Sequence, residues 1–214
     1  MQRYRGRVAY ERGDYSAAAA QLALAVRSMR SADGLVDAES VNTLSDLALA
    51  QSRAGQLDRA ERSLREVLAS TGQRFGQDSI SFAIDLDNLG AMLQRRGTAA
   101  SLAEAEQHAR RALDILRRRP GVALAERATA ANNLARTLEL QNRPQEALAI
   151  YPEAVAAMRQ AVGDRHALMG IVLHNRGRAE VAVGALDAAA DSLAQAQDIL
   201  AATLGQDHPR YAIW

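Results

Sequence analysis

An all-α fold, an alpha-alpha superhelix of stacked helical hairpins, is predicted by three features of this sequence. The chain repeats itself at intervals of 42 to 45 residues, the apolar residues inside each repeat recur with a helical period, and the composition suits helix better than sheet. Ala and Leu dominate a chain that is 48% hydrophobic but only 4% aromatic, with four Pro in 214 residues. Ala and Leu lose little on entering a helix, whereas the residues that favour strands are scarce.

Three ladders define the repeat. The small residues Gly6, Ala48, Gly90, Ala135 and Gly177 are 42, 42, 45 and 42 positions apart, and seven residues after each stands a turn former: Gly13, Gly55, Gly97, Asn142 and Gly184. A second ladder, Ala18, Ala60, Ala105, Ala147 and Ala189, is spaced 42, 45, 42 and 42, which puts a three-residue insertion at Thr98-Ala99-Ala100-Ser101. Gly34, Gly76, Gly121, Gly163 and Gly205 repeat that spacing. A fixed period in the range of 20–50 residues is the mark of a repeat architecture.

Within each unit the pattern is helical. Each second-ladder Ala is followed four and seven residues later by an apolar residue: Leu22 and Ala25, Leu64 and Val67, Ala109 and Ala112, Tyr151 and Ala154, Leu193 and Ala196. That spacing lines one face of a 3.6-residue helix. In the first half, Leu44, Leu86, Ala131 and Leu173 stand four residues before the small position. The Gly or Asn between halves suits a helix C-cap with positive φ, and the second Gly ladder ends the second helix in the same way. Asp78, Asp164 and Asp207 stand where an N-cap is wanted, and Pro209 suits a first turn. Each unit therefore reads as helix A, tight turn, helix B, short loop. One hairpin cannot bury its apolar stripe alone, so neighbours must stack.

The small residue in helix A, the Ala opening helix B and the Ala or Val seven residues later resemble the tetratricopeptide repeat (TPR). The 42-residue period, the strings Asn132-Asn133-Leu134-Ala135 and Asp87-Asn88-Leu89-Gly90, and the loop Leu204 to Pro209 are similar to its kinesin-light-chain-like variant. The resemblance implies a right-handed solenoid in a single domain over 1–214, with repeats near 1–34, 35–76, 77–121, 122–163 and 164–205, and 206–214 opening a further one. Counting 42 from Ile171 reaches Ile213, so Tyr211 to Trp214 reads as the start of a sixth helix A whose small residue would fall at 219. A tail folding back as a cap is the alternative. Arg5 and Arg176 stand where the other repeats have Leu47, Leu89 and Leu134, which marks repeats one and five as looser or terminal.

The resemblance also implies which residues face a ligand. In this family helix A lines the concave groove through the positions two before and one after the small residue. Here those are Tyr4, Asp46, Asn88, Asn133 and Asn175, then Arg7, Leu49, Ala91, Arg136 and Arg178, with Asn132 and His174 at the groove's edge or floor. An Asn ladder can both donate to and accept from the backbone of an extended peptide without selecting its side chains. Arg136 and Arg178, equivalent positions in adjacent repeats, can grip carboxylates. An acidic peptide or a free C-terminus is therefore the expected ligand, and a scaffolding or regulatory part of a larger bacterial protein, such as a signalling protein, the expected setting. Self-association is the alternative from another class, and single-stranded nucleic acid held by groove arginines is the weaker one.

Composition narrows the chemistry. All 26 basic residues are Arg, so Schiff-base and phosphate-loop lysine chemistry is excluded, and 25 acidic residues leave a net charge of +1, which gives no global pull towards nucleic acid or membrane. The absence of Cys excludes disulfides and thiolate zinc sites. None of His108, His166, His174 and His208 belongs to a short metal motif, so no metal and no cofactor is expected. His166 and His208 suit caps in the loops between repeats. No nucleophile elbow, phosphate loop or dinucleotide fingerprint is present, so no enzyme is expected, and Asp87 and Glu139 read as surface carboxylates. The Arg117-Arg118-Arg119 run suits the negative end of a helix. The first fifteen residues hold no apolar stretch of signal-peptide length, and the apolar runs are too short to span a bilayer, which favours the cytoplasm.

Overall fold

A computed structural model describes residues 1–29 and 38–204 of the chain. Among these residues there are ten helices and no strand. They are α1 (Gln2–Glu11), α2 (Tyr15–Met29), α3 (Ala38–Arg53), α4 (Leu57–Phe75), α5 (Ile80–Arg96), α6 (Ala99–Arg117), α7 (Leu124–Leu140), α8 (Pro144–Val162), α9 (Ala167–Ala182) and α10 (Leu186–Leu204). The odd-numbered helices are the A helices of the repeats and the even-numbered ones the B helices. The chain forms two compact units, one over 1–96 and one over 97–214.

In the first unit α1 packs on α2, α2 on α3, α3 on α4 and α4 on α5. In the second, α6 packs on α7, α7 on α8, α8 on α9 and α9 on α10. Within the units, α2, α4 and α8 thus each sit between their own A helix and the next. The ladder residues make those contacts: Ala18, Ala60, Ala105 and Ala147 have no exposed surface, and Leu22, Leu44, Leu86, Ala109, Ala131, Tyr151 and Leu173 are buried. Burying a Leu side chain contributes roughly 1.5–3 kcal/mol, so the helical spacing is the source of the core.

The small position exists because the B helix comes close. A Cβ added at Gly6 would lie 2.6 Å from Cγ of Leu22, and one added at Gly177 would lie 2.7 Å from Cγ of Leu193. Both partners stand four residues after the second-ladder Ala. The turns between A and B use left-handed backbone, with φ of 79° at Gly13 and 60° at Asn142; Asn is among the few side-chain-bearing residues that adopt this conformation readily.

The insertion lies where the spacing places it. Thr98 caps α6, its hydroxyl accepting from the Ser101 N–H, and the added residues lengthen the helix ahead of Ala105. At the other end α6 stops at Arg117, because Pro120 disfavours helical backbone at Arg119.

Two of the expected caps are corrected. Ser79, not Asp78, accepts from the Phe82 N–H ahead of α5, and His166, not Asp164, accepts through Nδ1 from Leu168 ahead of α9. Each helix starts a residue or two later than the Asp residues require, and Asp164 instead accepts from Arg159 at 2.6 Å. The capping role expected of His166 is met. Gly34, Gly205, Asp207, His208, Pro209 and the Tyr211–Trp214 segment lie outside the described residues.

Candidate functional site

The A helices present a repeated set of pockets. Between α1 and α3 a pocket of about 180 Å³ is lined by Arg7, Tyr10, Glu11, Asp46 and Leu49, with Leu22 below. Between α3 and α5 one of about 260 Å³ is lined by Leu49, Arg53, Asn88, Ala91 and Arg95 over an apolar floor that includes Met92 and Leu64. Between α7 and α9 one of about 170 Å³ is lined by Arg136, Glu139, Leu140, Asn142, Pro144, Arg178 and Ala182. In all three, the residue after the small position lines the pocket from both flanking A helices. Helical periodicity explains this, since positions three and four apart share a face.

The candidate residues divide accordingly. Arg7, Asp46, Leu49 and Asn88 line pockets of the first unit, whereas Tyr4 is 73% exposed and lines none of the three. Arg136 and Arg178 line one pocket of the second unit. The asparagines of that unit are differently employed: Asn175, 3% exposed, donates from Nδ2 to Oδ1 of Asn132 at 3.0 Å, and Asn132 is itself buried. Asn133 is half-buried beside Asn132. The expected Asn ladder is therefore partly drawn into contact between A helices: a short amide near the close α7–α9 approach reaches the neighbouring amide before it reaches solvent.

Two carboxylates read as surface residues are corrected. Asp87 is buried at 8% exposure on α5. Glu139 is half-buried and accepts a hydrogen bond from the Tyr151 hydroxyl of α8, a side chain with no exposed surface. Glu139 was missed although the signal was available, because it lies three residues after Arg136 on the same helical face. The equivalent positions Tyr10 and Ser52 line the other pockets.

Electrostatics in the α7–α9 pocket are mixed. Burial pushes the Glu139 carboxyl above the usual carboxylate range, against the pull of the Tyr151 hydrogen bond and of Arg178 and Arg136. The Tyr151 phenol is raised by burial and by the neighbouring Glu139. Burial, reinforced by Arg178 and Arg136, holds His174 below its ordinary value, so its ring is neutral near pH 7. Neither Arg136 nor Arg178 forms a hydrogen bond or an ion pair among the described residues. Most other arginines of the unit do. Arg143 is held by Glu106 and Glu146 at 2.6 Å each, Arg117 by Glu153 and Arg118 by Asp114, so the Arg117–Arg119 run is absorbed into ion pairs and helix-end carbonyls.

These stacked hairpins with small residues at the A–B contact define a helical-repeat protein. A tetratricopeptide repeat family model matches residues 82–160 and 126–202, and a second matches 40–81. The chain belongs to the tetratricopeptide repeat family. Its fold is similar to that of BtubC (BKLC) from P. vanneervenii, with a TM-score of 0.74 at 20% identity, covering 92% of this chain and 77% of that one. It is similar to a putative kinesin light chain of Podosopora anserina with nearly identical TPR-like repeats, with a TM-score of 0.74 at 21% identity over 94% of each chain. MamA matches more distantly, with a TM-score of 0.58 at 15% identity, over 93% of this chain and 90% of that one. No curated protein matches the chain. At these identities the likeness is one of fold. Tetratricopeptide repeats, the family shown by the matching model, are protein–protein interaction modules and are generally non-enzymatic. No helix among the described residues is long and apolar enough to cross a membrane.

Proposed function

We propose that the chain is a non-enzymatic scaffold or regulatory module that captures an extended acidic peptide along its A helices, with Arg136 and Arg178 as the principal anchors. The observation that carries this reading is the pair of guanidiniums at equivalent positions of adjacent repeats, lining one pocket without an ion pair of their own. A ligand carboxylate offers such cations the charge-assisted bonds that the fold leaves unmade. In the first unit, Asn88 and the half-exposed Leu49 line a pocket of their own, with polar and apolar groups of the kind a peptide backbone and its side chains use.

The test is direct. A labelled decapeptide rich in glutamate is titrated into the wild-type chain and into the Arg136→Ala, Arg178→Ala double variant, with the glutamine version of the same peptide as control. Loss of the charged bonds weakens the acidic peptide by about 1–3 kcal/mol and leaves the glutamine peptide and the helical circular dichroism unchanged. Equal affinity in the two proteins removes the assignment.

Self-association is a second reading. It is favoured by Val181 and Leu186, which expose 49% and 64% of their surface where α9 turns into α10. Sedimentation at high concentration separates the two, since a monomer argues against pairing of copies.

A further inference from the structure

The α7–α9 pocket is not simply cationic. Of the residues that line it, Arg136 and Arg178 carry positive charge and Glu139 carries the opposing negative one, which leaves a net charge of +1. The nearby Arg143 adds nothing to this balance, because Glu106 and Glu146 hold its guanidinium.

Glu139 is also fixed in place. The Tyr151 hydroxyl donates to its Oε1, and Tyr151 is anchored in α8 with no exposed surface. The carboxylate therefore cannot swing into solvent when an anion enters without giving up that bond. Any ligand that reaches the two guanidiniums does so beside a fixed negative charge.

We propose that Glu139 is the specificity-determining residue of this pocket: by leaving one net positive charge it admits a single carboxylate and selects against a phosphate dianion. The inference rests on the acidic-peptide reading above. A carboxylate balances the pocket. The second charge of a phosphate meets Glu139 with no cation left to offset it, and like charges a few ångströms apart in a partly desolvated pocket repel by an amount on the order of tenfold in affinity. The carboxylate can come from a glutamate side chain or from a chain terminus, since both offer the same two oxygens.

The experiment uses the full chain labelled with nitrogen-15, reading the side-chain Nε–H signals of Arg136 and Arg178, each assigned by its loss in the single alanine variant. Three alanine pentapeptides are titrated. One is blocked at both ends with a central glutamate, one is blocked with a central phosphoserine, and one has no acidic side chain but a free C-terminal carboxylate. In the wild type, at least one carboxylate peptide shifts the arginine signals with a Kd about tenfold below that of the phosphoserine peptide. The comparison of the glutamate and free-terminus arms identifies which source the pocket takes. Glu139→Gln, which can still accept from Tyr151, abolishes or inverts this preference, and Glu139→Ala does the same if the new amide makes contacts of its own. Equal Kd values for carboxylate and phosphate in the wild type, or an unchanged ratio in both variants, overturn the role of Glu139 while leaving the acidic-peptide reading in place. If none of the three peptides moves either arginine signal in any of the proteins, both readings fall.

Discussion

Asn175 of α9 donates to Asn132 of α7 at 3.0 Å, joining the A helices of adjacent repeats through a bond between two buried side chains. The two residues are 43 positions apart, one more than the repeat, so the contact crosses between neighbouring units of the ladder. The amide oxygen of Asn175 is buried with no partner among the described residues. The pair is thus half-satisfied, and losing its one bond is costly.

Removing Asn132 tests this. Asn132→Ala leaves the buried Asn175 amide without its acceptor, which costs about 1–3 kcal/mol, because an unmade bond at a buried group forfeits its solvation. Asn175→Ala alone removes the stranded group together with the bond and costs less. Urea unfolding of the two single variants and the double variant gives a coupling energy above about 0.5 kcal/mol. Additive losses would mean that the bond contributes nothing.

The small-residue ladder makes a steric prediction. Gly177→Ala places a methyl 2.7 Å from Cγ of Leu193, inside the contact distance that packed carbons accept. Relief requires that α9 and α10 shift, at a cost of about 1–3 kcal/mol. Leu193→Ala in the same chain opens the space and restores part of the loss, so thermal unfolding should show the double variant less destabilised than the sum of the singles. A Gly177→Ala chain as stable as the wild type would show that the approach is softer than the geometry implies.

Most of the fold was legible because it rests on spacing. Ladder residues such as Ala18, Leu44, Leu86 and Tyr151 are buried where a helical period puts them, and the left-handed turns between A and B helices fall on Gly or Asn. The site was legible in part. A fixed offset from the small residue located Arg7, Leu49, Arg136 and Arg178 on pocket walls, since that offset depends only on helix geometry. It could not say that Asn175 and Asn132 would spend their amides on each other, because that depends on how closely two A helices pack. Charge type misled for Glu139 and Asp87: a carboxylate on a helix reads as solvated until a partner such as Tyr151, from another helix, is known to be within reach. The caps slipped by one or two residues, because neighbouring Ser79 and His166 can accept the same N–H bonds.

Asp85 gives the fold a pH dependence whose sign can be worked out. It lies on α5 at 8% exposure, where burial raises its pKa above the ordinary carboxylate value and a hydrogen bond from Thr71 of α4 only partly offsets this. In the unfolded chain the group returns to about 3.9. The folded state therefore binds this proton more tightly than the unfolded one. Its contribution to stability is fully present below the unfolded pKa and is lost as pH rises through the raised folded value. Asn has the shape of the protonated acid and can still accept from Thr71. Asp85→Asn should accordingly raise the melting temperature at pH 7, with the gain shrinking as the pH falls towards 4. Thermal unfolding followed at both pH values reads the difference, and a gain that is absent at pH 7, or larger at pH 4 than at pH 7, would show that Asp85 is better compensated in the fold than its burial implies.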